Sequence, residues 1–205
     1  MNATPAHRRD GAQTREAILV EAERLFAERG FSGTSLEQIG HAAGLSRGTP
    51  GYFFGVKERL YDSVVERILE RARLRLRPVY VLVREATPDD EDMLAVLVRA
   101  HLDLLAEDPA LVRLLQWESL GGQGKMLDEL AVHAPDLLDV LSSSAGAEAE
   151  RDLLLSAVSL CWFPFAYADA ITRTVDIDPR SPDFLDMHTE SVVAFLRARV
   201  ARRTR

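Results

Sequence analysis

One pattern of apolar and polar residues dominates this chain: the three-to-four-residue spacing of amphipathic helices. The apolar residues of the first such segment share one helical face: Ile18, Leu19, Ala22, Leu25 and Phe26. Gly30 follows directly, at the position where a glycine ends a helix. No segment shows a convincing strand-like alternation with a period of two. The pattern therefore predicts an all-α fold.

A compact run of helix signals follows the first helix. Thr34 and Glu37 have the spacing of a capping box, in which each side chain satisfies an amide at the start of a helix. Ala43-Gly44 then provides a tight turn, and Ser46 is placed to cap the next helix. Two short helices that cross closely at a turn of small residues are typical of a helix-turn-helix DNA-binding unit.

The order of these residues resembles the TetR family of bacterial transcriptional regulators. The positions in register are Ile18, Ala22, Leu25, Phe26, Gly30, Phe31, Thr34, Ile39, Ala43, Gly44, Ser46, Gly48, Phe54, Lys57, Glu58 and Leu60. The resemblance implies a three-helix DNA-binding domain over residues 12–72, with the helix-turn-helix motif at about residues 35–54. It also implies that residues 73–205 form a helical effector-binding and dimerisation domain.

Three departures from the family pattern lie within or next to the motif. Gly40 replaces the usual alanine, Pro50-Gly51 replaces Leu-Tyr, and Val56 replaces serine. The missing tyrosine commonly contacts a DNA phosphate in the family, and Tyr52 is the nearest substitute. Pro50 is expected at the fourth position of the third helix, where its missing N–H predicts a short helix.

The third helix and its flanks are the predicted DNA-contacting elements. Arg47 and Thr49, near its start, are suited to base edges in the major groove. Tyr52 and Lys57 are suited to phosphates. The further predicted contacts are Thr34 and Ser46, with additional contacts from Arg8, Arg9 and Arg15.

Beyond the motif, the periodicity predicts a long helix from Leu60 that Pro78 kinks or ends, with residues 79–83 interpreted as helix. Further helices are predicted over residues 89–106, 109–120, 125–141, 147–171 and 183–202. The uncharged run 153–168 is shorter than the roughly 20 residues of a membrane span, so we interpret it as a buried helix and expect no membrane partner.

Composition narrows the class of protein. The 205 residues carry 25 basic and 32 acidic side chains, but the first 60 hold 8 and 7, so the region expected to meet DNA is near neutral. The single cysteine, Cys161, excludes an intramolecular disulfide and fits a reducing compartment. The N-terminus lacks the apolar core of a signal peptide. A cytoplasmic location is expected.

No catalytic, phosphate-binding or metal-binding motif is present in the sequence, so we expect no enzyme activity, metal or cofactor. The five histidines are scattered. Cys161 lies in an apolar run beside Trp162, where an inert buried thiol is the expected state.

The resemblance implies a small-molecule effector, and the sequence suggests where it binds. We predict a site for an apolar or aromatic ligand between Met93 and Tyr167. The predicted contacts are His101, Trp117 and Glu118 on one wall, Trp162, Phe163 and Phe165 on the opposite wall, and Tyr167. For any one of these aromatic residues, packing in the core is the competing interpretation.

Two classes of function remain open at this stage. The first is a sequence-specific regulator of transcription, a repressor that binds a palindromic DNA operator as a homodimer and is released by the ligand. Its dimer interface is predicted on the segments 153–168 and 184–200, and a charge at Val193 or Leu196 is the predicted test. The alternative is an all-helical enzyme or adaptor without DNA binding.

Overall fold

A computed structural model describes residues 5–86, 93–121, 126, 128 and 147–201 of the chain. Every regular element within these residues is a helix, which confirms the all-α prediction. The helices are α1 (Pro5–Arg29), α2 (Leu36–Ala42), α3 (Thr49–Phe54), α4 (Lys57–Glu85), α5 (Met93–Glu107), α6 (Pro109–Gly121), α7 (Ala147–Ala166), α8 (Ala168–Val175) and α9 (Pro182–Ala201).

Most predicted helices are present, with bounds that differ by a few residues. Pro78 lies inside α4 and does not end it, and residues 79–83 are helical as predicted. The predictions for residues 89–92, and for most of the helix at 125–141, lie outside the described residues.

The single helix predicted over residues 147–171 is wrong. The helix is interrupted at Tyr167, and the direction of the chain changes by 72° between the helices on its two sides, α7 and α8. Pro164 precedes this break and has no N–H to donate to the carbonyl of Leu160, four residues earlier. Nε2 of His188 on α9 lies 3.0 Å from that carbonyl oxygen and donates to it instead.

Two apolar clusters form the core. The first joins α1–α4 to α5 and α6; its fully buried side chains include Ile18, Phe26, Ile39, Leu60, Ile68, Leu114 and Met126. The second lies between α5, α6, α7 and α9 and includes Leu102, Val112, Phe165, Val192 and Leu196. Helix α4 is continuous across the boundary expected at residues 72–73, so one helix belongs to both predicted domains.

An ion-pair network also crosses between the domains. The guanidinium of Arg71 on α4 bonds to both carboxylate oxygens of Glu23 on α1, over 2.7 and 2.9 Å. The same group reaches Oδ2 of Asp108, just before α6, over 2.9 Å. These carboxylates raise the pKa of Arg71. The network fixes the position of α4 against α1 and α6.

No single described helix has both the length and the apolar composition of a membrane span. The α7–α8 pair meets these two criteria only when its bent halves are taken together.

Candidate nucleic-acid interface and effector cavity

The start of α2 is capped one residue later than the sequence pattern suggested. Ser35 is the N-cap: its hydroxyl accepts from the N–H of Gln38, and the Gln38 side chain accepts from the N–H of Ser35 over 2.8 Å. The predicted Thr34–Glu37 capping box is therefore wrong. The signal was present in the sequence, since Ser35 and Gln38 have the same spacing as Thr34 and Glu37.

Thr34 is a structural residue of this loop. Thr34 is only 3% exposed to solvent. Its hydroxyl lies 2.9 Å from the carbonyl oxygen of Gly30 and 3.2 Å from that of Leu25. The hydroxyl thus satisfies carbonyls at the end of α1, where the helix leaves them without partners. This geometry removes the Thr34 side chain from the exposed surface on which we predicted it.

The start of α3 also differs from the prediction. Gly48 is the N-cap and no side chain caps the helix; the hydroxyl of Ser46 instead pairs with that of Thr49 over 2.7 Å. Pro50 is the second residue of α3, not the fourth. No intrahelical bond needs an N–H at that position, so the proline is tolerated.

Two of the departures from the family pattern compensate each other. A Cβ on Gly40 would lie 3.0 Å from the carbonyl oxygen of Ser46 and 3.2 Å from Cδ of Pro50. The buried proline ring of α3 thus lies against the backbone of α2, and glycine leaves it the room. Gly51 faces Leu36 on the same side, whereas Tyr52 points away into solvent.

Arg47 and Tyr52 are the prominent exposed side chains of this motif. The side chain of Arg47 is 81% exposed, and Tyr52 is 85% exposed. Arg47 lies 3.4 Å from Glu37 on α2, a partner that the sequence did not indicate. An ion pair so exposed contributes little, so the guanidinium can exchange it for DNA. Ser46 is also exposed, and Thr49 is half-buried.

Lys57 is partly engaged within the domain. Its ammonium donates to the carbonyl oxygens of Phe31 and Thr34, both over 3.0 Å, and lies 4.1 Å from the centre of the Phe31 ring. An ammonium has three donors, so these two bonds leave one for a phosphate. The guanidinium of Arg15 lies over the ring of Phe54, whereas the side chains of Arg8 and Arg9 lie outside the described residues.

The predicted effector residues do not form one site. His101 and Trp162 line a cavity of about 590 Å³ between α4, α5, α6 and α7. Trp117 and Tyr167 line a different cavity of about 410 Å³ near α1 and α8. The predicted grouping of His101 with Trp117 and Glu118 is therefore wrong.

Trp117 and Glu118 join α6 to α1 and α4, two helices of the predicted DNA-binding domain. The indole N–H of Trp117 donates to the carbonyl of Ala27 on α1 over 3.1 Å. Glu118 is buried, and its carboxylate accepts from the hydroxyl of Tyr61 on α4 over 3.0 Å and from the N–H of Met126 over 2.7 Å.

The other predicted aromatic wall is also divided. Phe163 is exposed and packs beside Tyr167, and Phe165 is buried in the second core cluster. Only Trp162 of that wall lines the larger cavity. Cys161 lies beside it, and burial raises the pKa of its thiol to about 12, which disfavours the reactive thiolate.

His101 is a neutral polar group inside the larger cavity. Its Nδ1 lies 2.8 Å from the carbonyl oxygen of Leu97 and must donate to it. Burial lowers the pKa of His101 more than this carbonyl raises it, so the ring is neutral. Nε2 therefore accepts the hydrogen bond from the hydroxyl of Tyr80, over 3.1 Å. Among the described residues, no His, Cys, Asp or Glu cluster could hold a metal ion.

Two neighbouring helices carry exposed apolar stripes on their outer faces. The exposed apolar residues are Leu155 and Phe163 on α7 and Met187, Ala194 and Phe195 on α9. We call the surface that they form the α7–α9 face. Val193 and Leu196, the positions at which a charge was expected to test dimerisation, are buried in the chain's own core.

Comparisons with known proteins agree with this geometry. Residues 18–64 match the family model of bacterial regulatory proteins of the tetR family. The HTH-type transcriptional regulator RutR of Escherichia coli strain K12 is 33% identical over 132 residues, which are 63% of this chain and 58% of that protein. The HTH-type transcriptional repressor NicS of Pseudomonas putida is 34% identical over 113 residues, 53% of this chain and 49% of the repressor. The chain thus spans about half the length of these relatives.

A solved structure extends the likeness over the whole fold. A TetR-family transcriptional regulator from Mesorhizobium loti superposes with a TM-score of 0.63 at 25% identity, covering 92% of this chain and 96% of that one. The fold and the motif define a helix-turn-helix protein with a helical C-terminal domain. Residues 18–64 thus form a DNA-binding domain of the TetR type, as the resemblance in the sequence implied.

Proposed function

We propose that this chain is a DNA-binding transcriptional regulator that represses genes as a homodimer and is released from a palindromic operator by a small apolar ligand. The observation that carries the proposal is the helix-turn-helix of residues 36–54, which exposes Arg47 and Tyr52 on its outer side. The name of the NicS relative supports the choice of a repressor. Action on chromosomal DNA implies a cytoplasmic site.

The DNA contacts that we propose are a revision of the predicted set. Arg47 reaches a base edge, and Ser46 and Thr49 flank it at the start of α3. Tyr52 contacts a phosphate in place of the missing family tyrosine, since its hydroxyl lies on the solvent side of α3. The Thr34 hydroxyl is left out because two carbonyls already occupy it.

Gel-shift titration with the DNA upstream of the chain's own gene tests the proposal at moderate salt. We expect a retarded complex with that DNA and weaker binding to unrelated DNA of equal length. Arg47→Ala should cost about 1–3 kcal/mol and reduce the discrimination between the two DNAs. Equal affinity for both DNAs would contradict sequence-specific regulation, and no binding to either DNA would favour the enzyme or adaptor alternative.

The third donor of Lys57 gives a separate test of phosphate contact. Lys57→Ala should weaken binding to both DNAs alike and flatten the slope of log affinity against log salt by about one unit. Because Lys57 also binds two carbonyls, the variant must be shown to remain folded by its circular dichroism. A folded variant with an unchanged slope would remove Lys57 from the contact list.

The larger cavity is the proposed effector site because one of its walls is α4. Its lining on that helix runs from Leu69 to Arg84, and the N-terminal end of α4 carries Lys57 and Tyr61. A ligand that binds better when α4 is displaced would change the distance between the two helix-turn-helix motifs of the homodimer. A coupling of about 1–3 kcal/mol would lower operator affinity roughly 5–150-fold.

The α7–α9 face is the proposed interface of the homodimer. The two helices are already held together within one protomer by the ion pair of Arg199 with Asp152 and by the bond of His188 to Leu160. Their exposed apolar stripes would form an isologous four-helix interface with the same stripes of a second copy.

A further inference from the structure

The interior of the 590 Å³ cavity is apolar. Its volume is within the range of about 300–1,000 Å³ that is typical of small-molecule sites. The apolar lining includes Leu76, Leu104, Leu105, Leu111, Leu115 and Trp162. The Tyr80–His101 pair is neutral. The interior therefore favours a hydrocarbon body over a charged one.

The α4 wall of the cavity is basic. Arg73, Arg77 and Arg84 all line it from this helix, and Glu70 is the one acidic residue of α4 in the lining. Arg73 is paired with Glu70 over 3.5 Å and with Glu66, outside the lining, over 2.9 Å. Arg77 is exposed and has no ion-pair partner among the described residues. Leu74 and Val81 on the same wall are exposed apolar side chains. Apolar and positively charged surface thus meet where α4 borders solvent.

We propose that the effector is an anionic amphiphile: an apolar body buried against the leucines and Trp162, ending in a carboxylate held by Arg77. This inference rests on the proposed effector function of the same cavity and specifies its ligand class. A guanidinium presents paired N–H donors that match the two oxygens of a carboxylate. The same positive wall disfavours a cationic ligand.

Three ligands with the same ten-carbon body test the head group: decanoate, decanol and decylammonium. Calorimetric titration of the full chain should rank decanoate first, about fivefold tighter than decanol, the upper end of what an exposed ion pair contributes. Decylammonium should bind most weakly. Lengthening the carboxylate from octanoate to decanoate should tighten binding about fourfold per methylene, as expected for burial in an apolar cavity.

Arg77→Gln is the diagnostic variant, and Arg59→Gln is its control. Both arginines are exposed on α4, but Arg59 does not line the cavity. Arg77→Gln should remove the preference for decanoate while the affinity for decanol stays the same, which also shows that the cavity is intact. Arg59→Gln should retain the preference.

The possible outcomes separate this inference from the proposed effector function. If decanol binds as tightly as decanoate, or if Arg77→Gln keeps the preference, the head-group assignment is overturned although the cavity still binds ligand. If none of the three ligands binds while the chain still retards its upstream DNA, both the amphiphile and this cavity as the effector site are overturned. Decanoate that binds with the expected preference and also releases that DNA supports both.

Discussion

The hydroxyl of Tyr61 donates a hydrogen bond to Oε1 of Glu118 over 3.0 Å, and both residues are buried. Tyr61 belongs to α4 at the DNA-binding end of the molecule, and Glu118 belongs to α6 of the C-terminal domain. Burial and the nearby carboxylate raise the pKa of Tyr61, so the phenol stays protonated and remains a donor. The contact links the two parts of the chain that an effector would have to couple.

Removal of this donor should destabilise the fold. In Tyr61→Phe the N–H of Met126 is the one hydrogen-bond donor that the described residues leave to the buried carboxylate of Glu118, and we expect a loss of about 1.5–3 kcal/mol in the free energy of unfolding. Urea denaturation at neutral pH measures it. Tyr52→Phe is the matched control, because the Tyr52 side chain is exposed, and its effect should stay within about 0.5 kcal/mol. Equal effects of the two variants would show that the Tyr61–Glu118 bond contributes nothing net.

Trp117 contacts the glycine that ends α1, and two glycines allow this contact to be measured. Gly30 and Gly44 have nearly the same φ, +70° and +69°, so alanine at either should cost about 1–2 kcal/mol in backbone strain. A Cβ on Gly30 would also lie 2.9 Å from Cδ2 of Trp117, whereas a Cβ on Gly44 would meet nothing within 4 Å. Gly30→Ala should therefore lose about 1 kcal/mol or more beyond Gly44→Ala in urea denaturation.

The same comparison can be repeated with the indole removed. In a Trp117→Ala background the two glycine substitutions should cost nearly the same, because only the shared strain remains. An excess for Gly30→Ala that persists without the indole would assign the cost to the end of α1 itself.

The helix-turn-helix could be predicted from the sequence because its signals are local. A glycine stop, a capping residue and a turn of small residues act within a few positions of one another. The choice between Thr34 and Ser35 as the cap could not be made that way, since both have a suitable partner three residues later. Ser35 is the cap because the Thr34 side chain is buried against the end of α1, and this burial is a tertiary contact.

The effector site was less predictable for a geometric reason. Trp117 and Glu118 are consecutive residues of one helix, so their side chains point about 100° apart and do not face the same cavity. The break at Tyr167 likewise separates Tyr167 from Trp162. Residue types identified the candidates, but the rotation of each helix determined which of them line the cavity.

Gly40 and Pro50 should be energetically coupled. Gly40→Ala gains helix propensity but places a Cβ 3.2 Å from Cδ of Pro50, so in the wild-type chain we expect a net loss of stability. In a Pro50→Ala background the same change should be more favourable by at least about 0.5 kcal/mol. Urea denaturation of the four chains of this cycle measures the coupling.

Gly48→Ala is the control for that cycle. Its φ of −83° suits alanine, and a Cβ there would meet nothing within 4 Å. The substitution should be neutral or stabilising by up to about 1 kcal/mol, with or without Pro50. Additive effects of Gly40→Ala and Pro50→Ala would show that the close approach at Ser46, and not the proline ring, requires the glycine.

A charge on the α7–α9 face should separate the proposed homodimer. Leu155 is 66% and Phe195 42% exposed in the single chain, so aspartate at either position is compatible with the folded protomer. At an isologous interface each substitution places two charges in apolar surroundings, one from each copy. We expect Leu155→Asp and Phe195→Asp to sediment as monomers at micromolar concentration and to bind the upstream DNA more weakly.

Two further variants distinguish loss of the interface from loss of the fold. Val20→Asp introduces the same charge at an exposed apolar residue of α1, away from α7 and α9, and should remain a dimer. Val193→Asp places the charge in the core and should unfold the chain, with loss of the helical circular dichroism signal. Leu155→Asp and Phe195→Asp should keep that signal while their sedimenting mass halves, because only contacts between copies are lost. Dimers of both variants with unchanged DNA affinity would place the interface on another surface.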